Sequence, residues 1–104
     1  MDEKKYQLRF LLLFSEDLNE IVEYISNDLS NPDAAYRFVE EVESSIVDRL
    51  RNPESFEAFH SKHERKLPYY RLQVKNFYVF NVVDDDVMEV RRIFYARANW
   101  KRIL

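Results

Sequence analysis

The sequence of 104 residues contains no cysteine and no glycine. The lack of cysteine excludes disulfides, thiolate zinc sites and cysteine nucleophiles, and it is compatible with a reducing cytoplasm. The lack of glycine argues against phosphate-cradling loops and dinucleotide fingerprints, because these need a residue that tolerates positive φ and close backbone approach. It argues equally against the nucleophile elbow of a serine hydrolase.

Long apolar runs are also missing. The longest, from Phe10 to Phe14, is far too short to cross a bilayer, and residues 1–5 do not form the n-region of a signal peptide. We therefore expect a cytoplasmic protein with no membrane partner. Hydrophobic residues make up 46% and charged residues 34% of the chain, which is typical of a folded protein, and the length fits a single domain over residues 1–104.

Charge is distributed unevenly along the chain, although the net charge is only −3. Residues 15–59 carry twelve acidic and three basic side chains, whereas residues 60–104 carry five acidic and ten basic ones. This split favours an anionic partner for the C-terminal part. The alternative is that helices collect glutamate and strands collect arginine by chance.

The N-terminal third predicts a strand followed by a helix. From Lys5 to Phe14, every second residue is apolar, which is typical of a β-strand. The second half of this segment is apolar at every position, which predicts that both faces of the strand are buried. Ser15 is then expected as the N-cap of the first helix, with acidic residues in the first turn. Apolar residues at helical spacing predict that this helix ends near Ser30.

A second helix and three strands are predicted to follow. Asn31-Pro32 indicates a helix start, because asparagine caps and proline suits the first helical position, and Asn52-Pro53 indicates the end. Segments rich in aromatic and β-branched residues, at 69–75, 77–83 and 87–95, predict strands. Short breaks at Lys75-Asn76 and at residues 84–86 predict an antiparallel meander.

The order of elements predicts an α+β fold. It has an N-terminal strand, a helical hairpin and a three-stranded antiparallel meander, then a short C-terminal helix or extension from Arg97. We expect both helices on one face of a four-stranded, largely antiparallel sheet, with the other face open. Phe10, Phe38 and Phe80 are expected in the core. Trp100 is the best candidate for an exposed anchor to a partner, and its alternative role is to close the core.

Six segments in this order carry a resemblance to a known group of proteins: residues 17–25 (DLNEIVEYI), 34–35 (AA), 50–53 (LRNP), 70–74 (YRLQV), 78–84 (YVFNVVD) and 90–97 (VRRIFYAR). Together they resemble the RelE/ParE superfamily of type II toxin–antitoxin toxins, over nearly the whole chain. The resemblance implies a growth-inhibiting protein held inactive by a co-expressed antitoxin. RelE-like members cleave mRNA in the ribosome without metal, whereas ParE-like members poison DNA gyrase and cleave nothing.

The resemblance also implies candidate site residues. RNA cleavage requires proton transfer and cationic stabilisation of the phosphorane. By position, Arg71 matches the first basic site of the second strand, but Gln73 and Phe77 stand where RNA-cleaving relatives have cations. Tyr95 or Arg97 matches the terminal basic position loosely. The implied catalytic set is therefore Arg71, Tyr95 and Arg97.

Further basic residues are expected to contact RNA or another target: Lys62, Lys66, Lys75 and Arg91. Arg71 and Lys75 share strand parity, so we expect them on one face. Alternatively, all these residues are solvent-exposed charged side chains at a sheet edge, with no role in binding.

Neither a metal ion nor a cofactor is expected. His60 and His63 lack a third ligand and an acidic setting, and the acids at 84–86 cannot all converge on one ion. Three functions stay open: a ribosome-dependent mRNA endonuclease, a non-enzymatic gyrase inhibitor, and a non-toxic regulatory member that binds its antitoxin and a promoter.

Overall fold

The structure is a computed structural model that describes residues 5–55, 58–59 and 66–104. Its elements confirm the predicted α+β order. They are β1 (Gln7–Phe10), α1 (Leu12–Glu23), a π-helical turn (Tyr24–Asp28), α2 (Pro32–Arg49), β2 (Tyr70–Val74), β3 (Phe77–Asp84), β4 (Val87–Tyr95) and α3 (Trp100–Ile103). Within the described ranges, no helix combines the length and apolar character needed to cross a membrane.

The four strands form one sheet in the order β1-β4-β3-β2. β2, β3 and β4 are antiparallel neighbours, as the short breaks between them predict. β1, however, pairs in parallel with β4, so the sheet is largely antiparallel, as expected, with one parallel pair at its edge. The reason is the helical hairpin, which carries the chain to the far edge of the sheet, from where the meander returns to β1.

The first strand is shorter than predicted. It ends at Phe10, and α1 begins at Leu12 with Leu11 in the cap position and no side-chain cap, so the assignment of Ser15 is wrong. Leu12 is 71% exposed and Phe10 47% exposed, which contradicts burial on both faces. The segment up to Phe14 is predicted as a strand because its apolar residues alternate. Phe14 is buried, but it belongs to the apolar face of α1, and over a few residues such a face also fits an alternating pattern.

Local signals define α2 and the turns more accurately. The side chain of Asn31 accepts a hydrogen bond of 3.1 Å from the backbone amide of Ala34, which confirms the predicted N-cap. In place of glycine, the polar residues Ser30, Lys75 and Asp85 adopt positive φ values of 51°, 52° and 56°. These left-handed residues end the first helical segment and form the tight turns of the meander.

Two apolar clusters lie on opposite faces of the sheet. The first, between the helices and the sheet, includes Phe38, and the second includes Phe80 and Trp100. Trp100 is only 7% exposed, so it closes the core and is not an exposed anchor. The core positions of Phe38 and Phe80 are confirmed, whereas that of Phe10 is wrong. The second face is therefore only partly open.

Candidate binding groove around Arg71

A groove of about 570 Å³ lies on the partly open face of the sheet. It is bordered by the end of α2, by β2 and β3, and by the start of α3. The side chains lining it are Arg49, Ala58, Phe59, Arg71, Gln73, Tyr78 and Trp100. We call this surface the Arg71 groove.

The guanidinium of Arg71 packs against an aromatic wall in this groove. Its guanidinium carbon is 4.4 Å from the centre of the Tyr78 ring and 5.7 Å from that of Trp100. The two rings meet edge to face, with centroids 5.9 Å apart, and Phe59 contacts Trp100 in the same way at 5.2 Å. Stacking on aromatic faces restrains a guanidinium and leaves its N–H donors at the edge of the plane.

Arg49 adds a second cation to the groove from the last turn of α2. Its Nη1 donates a 3.3 Å hydrogen bond to the backbone carbonyl of Arg71, which joins the helix end to the edge strand. Burial lowers the pKa of Arg49, with the charge of Asp48 acting in the opposite direction. The guanidinium nevertheless stays charged near neutral pH, because arginine deprotonates only far above it.

Gln73 shares the face of Arg71, as strand alternation predicts. Its Nε2 donates a 3.1 Å hydrogen bond to the backbone carbonyl of Lys75. Lys75 itself turns away, and its Nζ lies 3.4 Å from a carboxylate oxygen of Glu41 on α2. The prediction that Arg71 and Lys75 share a face is therefore wrong, because Lys75 lies in the turn with positive φ, where strand parity no longer holds.

Tyr95 and Arg97 do not line the Arg71 groove. Tyr95 packs edge to face on Phe77 at 5.7 Å, and Phe77 in turn packs on Phe38 of α2, so both belong to the helix-covered side. Arg97 is exposed in the segment between β4 and α3. Of the implied catalytic set, only Arg71 is among the described residues that line the groove.

The predicted target-binding cations are also separated. Arg91 pairs with Glu89 at 3.4 Å, and it lies beside the register shift between β3 and β4. Lys66 is exposed. Lys62 lies outside the described residues, as do His60 and His63. Among the described residues, no three side chains of His, Cys, Asp or Glu group as metal ligands.

The sequence pattern does not indicate the polar contact between Asp17 and Arg92. Arg92 donates two hydrogen bonds to Asp17 of α1, at 2.8 and 3.0 Å, and these bonds raise the pKa of Arg92. The backbone amide of Ile93 donates a third to the same carboxylate, at 3.2 Å. Because β1 pairs with β4 only as far as Val90, Asp17 satisfies an amide on an edge that β1 leaves uncovered.

Comparison with known proteins assigns the chain to a family. The sequence matches the family described as "ParE toxin of type II toxin-antitoxin system, parDE" over residues 8–100. The chain therefore belongs to the ParE toxin family, and it is the toxin component of a type II toxin–antitoxin system. The resemblance to the RelE/ParE superfamily is confirmed. No curated protein matches the sequence.

Solved structures share the fold. The chromosomal ParDE TA system from P. aeruginosa is similar with a TM-score of 0.68 at 17% identity, covering 90% of this chain and 99% of that one. The RelB–RelE antitoxin–toxin complex from Methanococcus jannaschii gives 0.51 at 19% identity, covering 92% and 99%. The archaeal RelE–RelB complex from Pyrococcus horikoshii OT3 gives 0.51 at 20% identity, covering 90% and 99%. At such identities the likeness concerns the fold, and function depends on the site.

Proposed function

We propose that this toxin arrests growth by binding DNA gyrase and does not cleave RNA. The observation that carries the proposal is the make-up of the Arg71 groove. Gln73 and an aromatic wall stand where an RNA-cleaving site would need further charged or proton-transferring groups. Arg71 serves in this proposal as a target-binding residue on a rigid surface.

RNA cleavage would require a group that accepts the 2′-hydroxyl proton, cations that stabilise the phosphorane, and a group that protonates the 5′-oxygen. Arg71 and Arg49 could supply charge, but no carboxylate, histidine or lysine is among the described side chains that line the groove. Losing one stabilising donor alone commonly reduces a rate about a hundredfold or more. With Tyr95 on the other side of the sheet, a binding role fits the surface better than catalysis.

A cognate antitoxin is the proposed partner that keeps this toxin inactive. The similar solved structures come from a ParDE system and from RelB–RelE complexes, which supports a protein partner of this kind. A second, apolar groove of about 540 Å³ is bordered by Glu20, Ile21, Tyr24, Phe77 and Tyr95. Two of its side chains, Tyr24 and Tyr95, are exposed, so this groove offers an apolar surface for an amphipathic segment.

A supercoiling assay with purified gyrase tests the proposal. Excess toxin should inhibit supercoiling, and Arg71→Gln should need a higher concentration for the same inhibition. Lys75→Gln is the matched control, because it removes an exposed cation that lies outside the groove. Unchanged supercoiling in the presence of excess folded wild-type protein would refute gyrase as the target.

Primer extension on translated mRNA tests the competing mechanism in cells that express the toxin. Intact transcripts are expected during growth arrest. Cuts that disappear in Arg71→Ala or Arg97→Ala would instead establish an mRNA endonuclease. Normal growth after induction of the toxin alone would favour the non-toxic regulatory member.

A further inference from the structure

We propose that the Arg71 groove binds a carboxylate of an acidic peptide segment supplied by a partner protein. Arg71 would hold this carboxylate through two parallel hydrogen bonds, with Arg49 as the second cation. The proposal concerns the chemistry of the occupant and goes beyond gyrase inhibition. It can therefore hold even if gyrase is not the target.

The first argument is the position of the Arg71 guanidinium. Its central carbon lies over the Tyr78 ring, 4.4 Å from the ring centre, and 5.7 Å from the centre of the Trp100 ring, while the residue as a whole is exposed. Among the described residues, the guanidinium has neither a hydrogen-bond acceptor nor an ion-pair partner. A guanidinium held in this way presents a planar fork of donors, and this fork matches the two oxygens of a carboxylate.

The second argument is the distribution of charge. The described lining of the groove contains two arginines and no acid. In contrast, residues 15–59, which include most of α1 and all of α2, carry twelve acidic and three basic side chains. An acidic segment is therefore repelled by the helical side and attracted to the groove, which is the arrangement that steers an oppositely charged partner to one site.

The third argument distinguishes a peptide from a nucleic acid. Single-stranded nucleic acids bind by stacking bases on open aromatic faces and by many phosphate contacts. Here Trp100 is buried and the rings of Phe59, Tyr78 and Trp100 are engaged with one another. Arg71 covers the wall that a base would need. The described lining supplies only two cations, which suits one or two carboxylates better than a phosphate backbone.

Fluorescence anisotropy at low salt tests the proposal with the full-length toxin. The probes are a labelled oligoglutamate peptide, an oligoglutamine peptide of equal length, and an oligouridylate. We expect the toxin to bind oligoglutamate in preference to both other probes. Arg71→Gln should weaken this binding about tenfold, which corresponds to about 1.4 kcal/mol, and Arg71→Lys should recover only part of it because lysine lacks the planar fork.

Lys75→Gln is the matched control, since it removes one positive charge outside the groove; it should bind oligoglutamate within about twofold of the wild type. Circular dichroism establishes that each variant is folded. Equal binding by Arg71→Gln and wild type would overturn the proposal, and so would an equal loss in Lys75→Gln. Tighter, Arg71-dependent binding of oligouridylate would assign the groove to nucleic acid instead.

Discussion

The carboxylate of Asp17 binds the guanidinium of Arg92 through two hydrogen bonds, at 2.8 and 3.0 Å. The same carboxylate accepts the backbone amide of Ile93, so one side chain joins α1 to the part of β4 that β1 does not reach. The side chains of this pair are only 13% and 22% exposed, which shields their interaction from solvent. This contact therefore joins α1 to β4 beyond Val90, where β1 no longer pairs with β4.

Asp17→Asn should destabilise the protein, because it leaves the partly buried Arg92 without its counterion. We expect the free energy of unfolding to fall by about 2 kcal/mol, the usual size of a hydrogen-bond loss that involves charged groups. Glu41→Gln breaks the more exposed pair with Lys75 and should cost less than about 0.5 kcal/mol. Urea unfolding of the two variants measures the difference, and equal losses would contradict this role of Asp17.

Ser30→Gly should stabilise the protein, because Ser30 has a φ of 51°, a conformation that glycine adopts at lower cost. The expected gain in the free energy of unfolding is up to about 1 kcal/mol. Ser44→Gly is the matched control within α2, where glycine lowers helix stability by about 0.5 kcal/mol. Opposite shifts of the urea midpoint are predicted; a loss of stability in both variants would show that Ser30 is not left-handed in solution.

Substitution of Leu12 and of Phe14, two apolar residues in the first turn of α1, should change the free energy of unfolding by very different amounts. Leu12 is exposed and Phe14 is buried, where it stacks on Phe10 at a centroid distance of 5.4 Å. Leu12→Gln should change the free energy of unfolding by less than about 0.5 kcal/mol, whereas Phe14→Ala should lower it by about 3 kcal/mol. Thermal or urea unfolding checks this. Similar losses in the free energy of unfolding for the two variants would contradict the helix and support the strand that the alternating pattern predicts for this segment.

Trp100 provides a spectroscopic probe of the second core cluster, because it is the only tryptophan in the chain. Its burial predicts blue-shifted emission and weak quenching by acrylamide in the native state. Trp100→Ala should lower the free energy of unfolding by about 3 kcal/mol, as expected when a large buried aromatic is truncated. Native emission at the wavelength of free tryptophan would contradict the closure of this cluster by α3.

Much of the fold could be predicted because its signals are local. Helical spacing and the Asn31-Pro32 cap define α2, and the polar breaks before Phe77 and Val87 define the meander. The parallel pairing of β1 could not be predicted, because it depends on the path of the helical hairpin across the sheet. The start of α1 could not be predicted either, because a short apolar run fits both the helical and the strand period.

The candidate site was predictable only in part. Strand alternation places Arg71 and Gln73 on one face, but it gives no information on the aromatic wall that Trp100 completes from the far end of the chain. Lys75 does not lie on the same face as Arg71, although alternation predicts that it does, because it is part of a turn. The pairing of Asp17 with Arg92 joins residues 75 positions apart, and no local pattern indicates such a partner. The predicted catalytic roles of Arg71, Tyr95 and Arg97 stay predictions.

The central claim is that this ParE-family toxin acts by binding gyrase through the Arg71 groove. Plasmid topology in growing cells tests it most directly, read on chloroquine gels shortly after induction of the wild type, Arg71→Gln or Lys75→Gln. We predict that negative supercoiling is lost with the wild type and Lys75→Gln and is retained with Arg71→Gln. Growth arrest by the wild type with normal plasmid supercoiling would contradict the account.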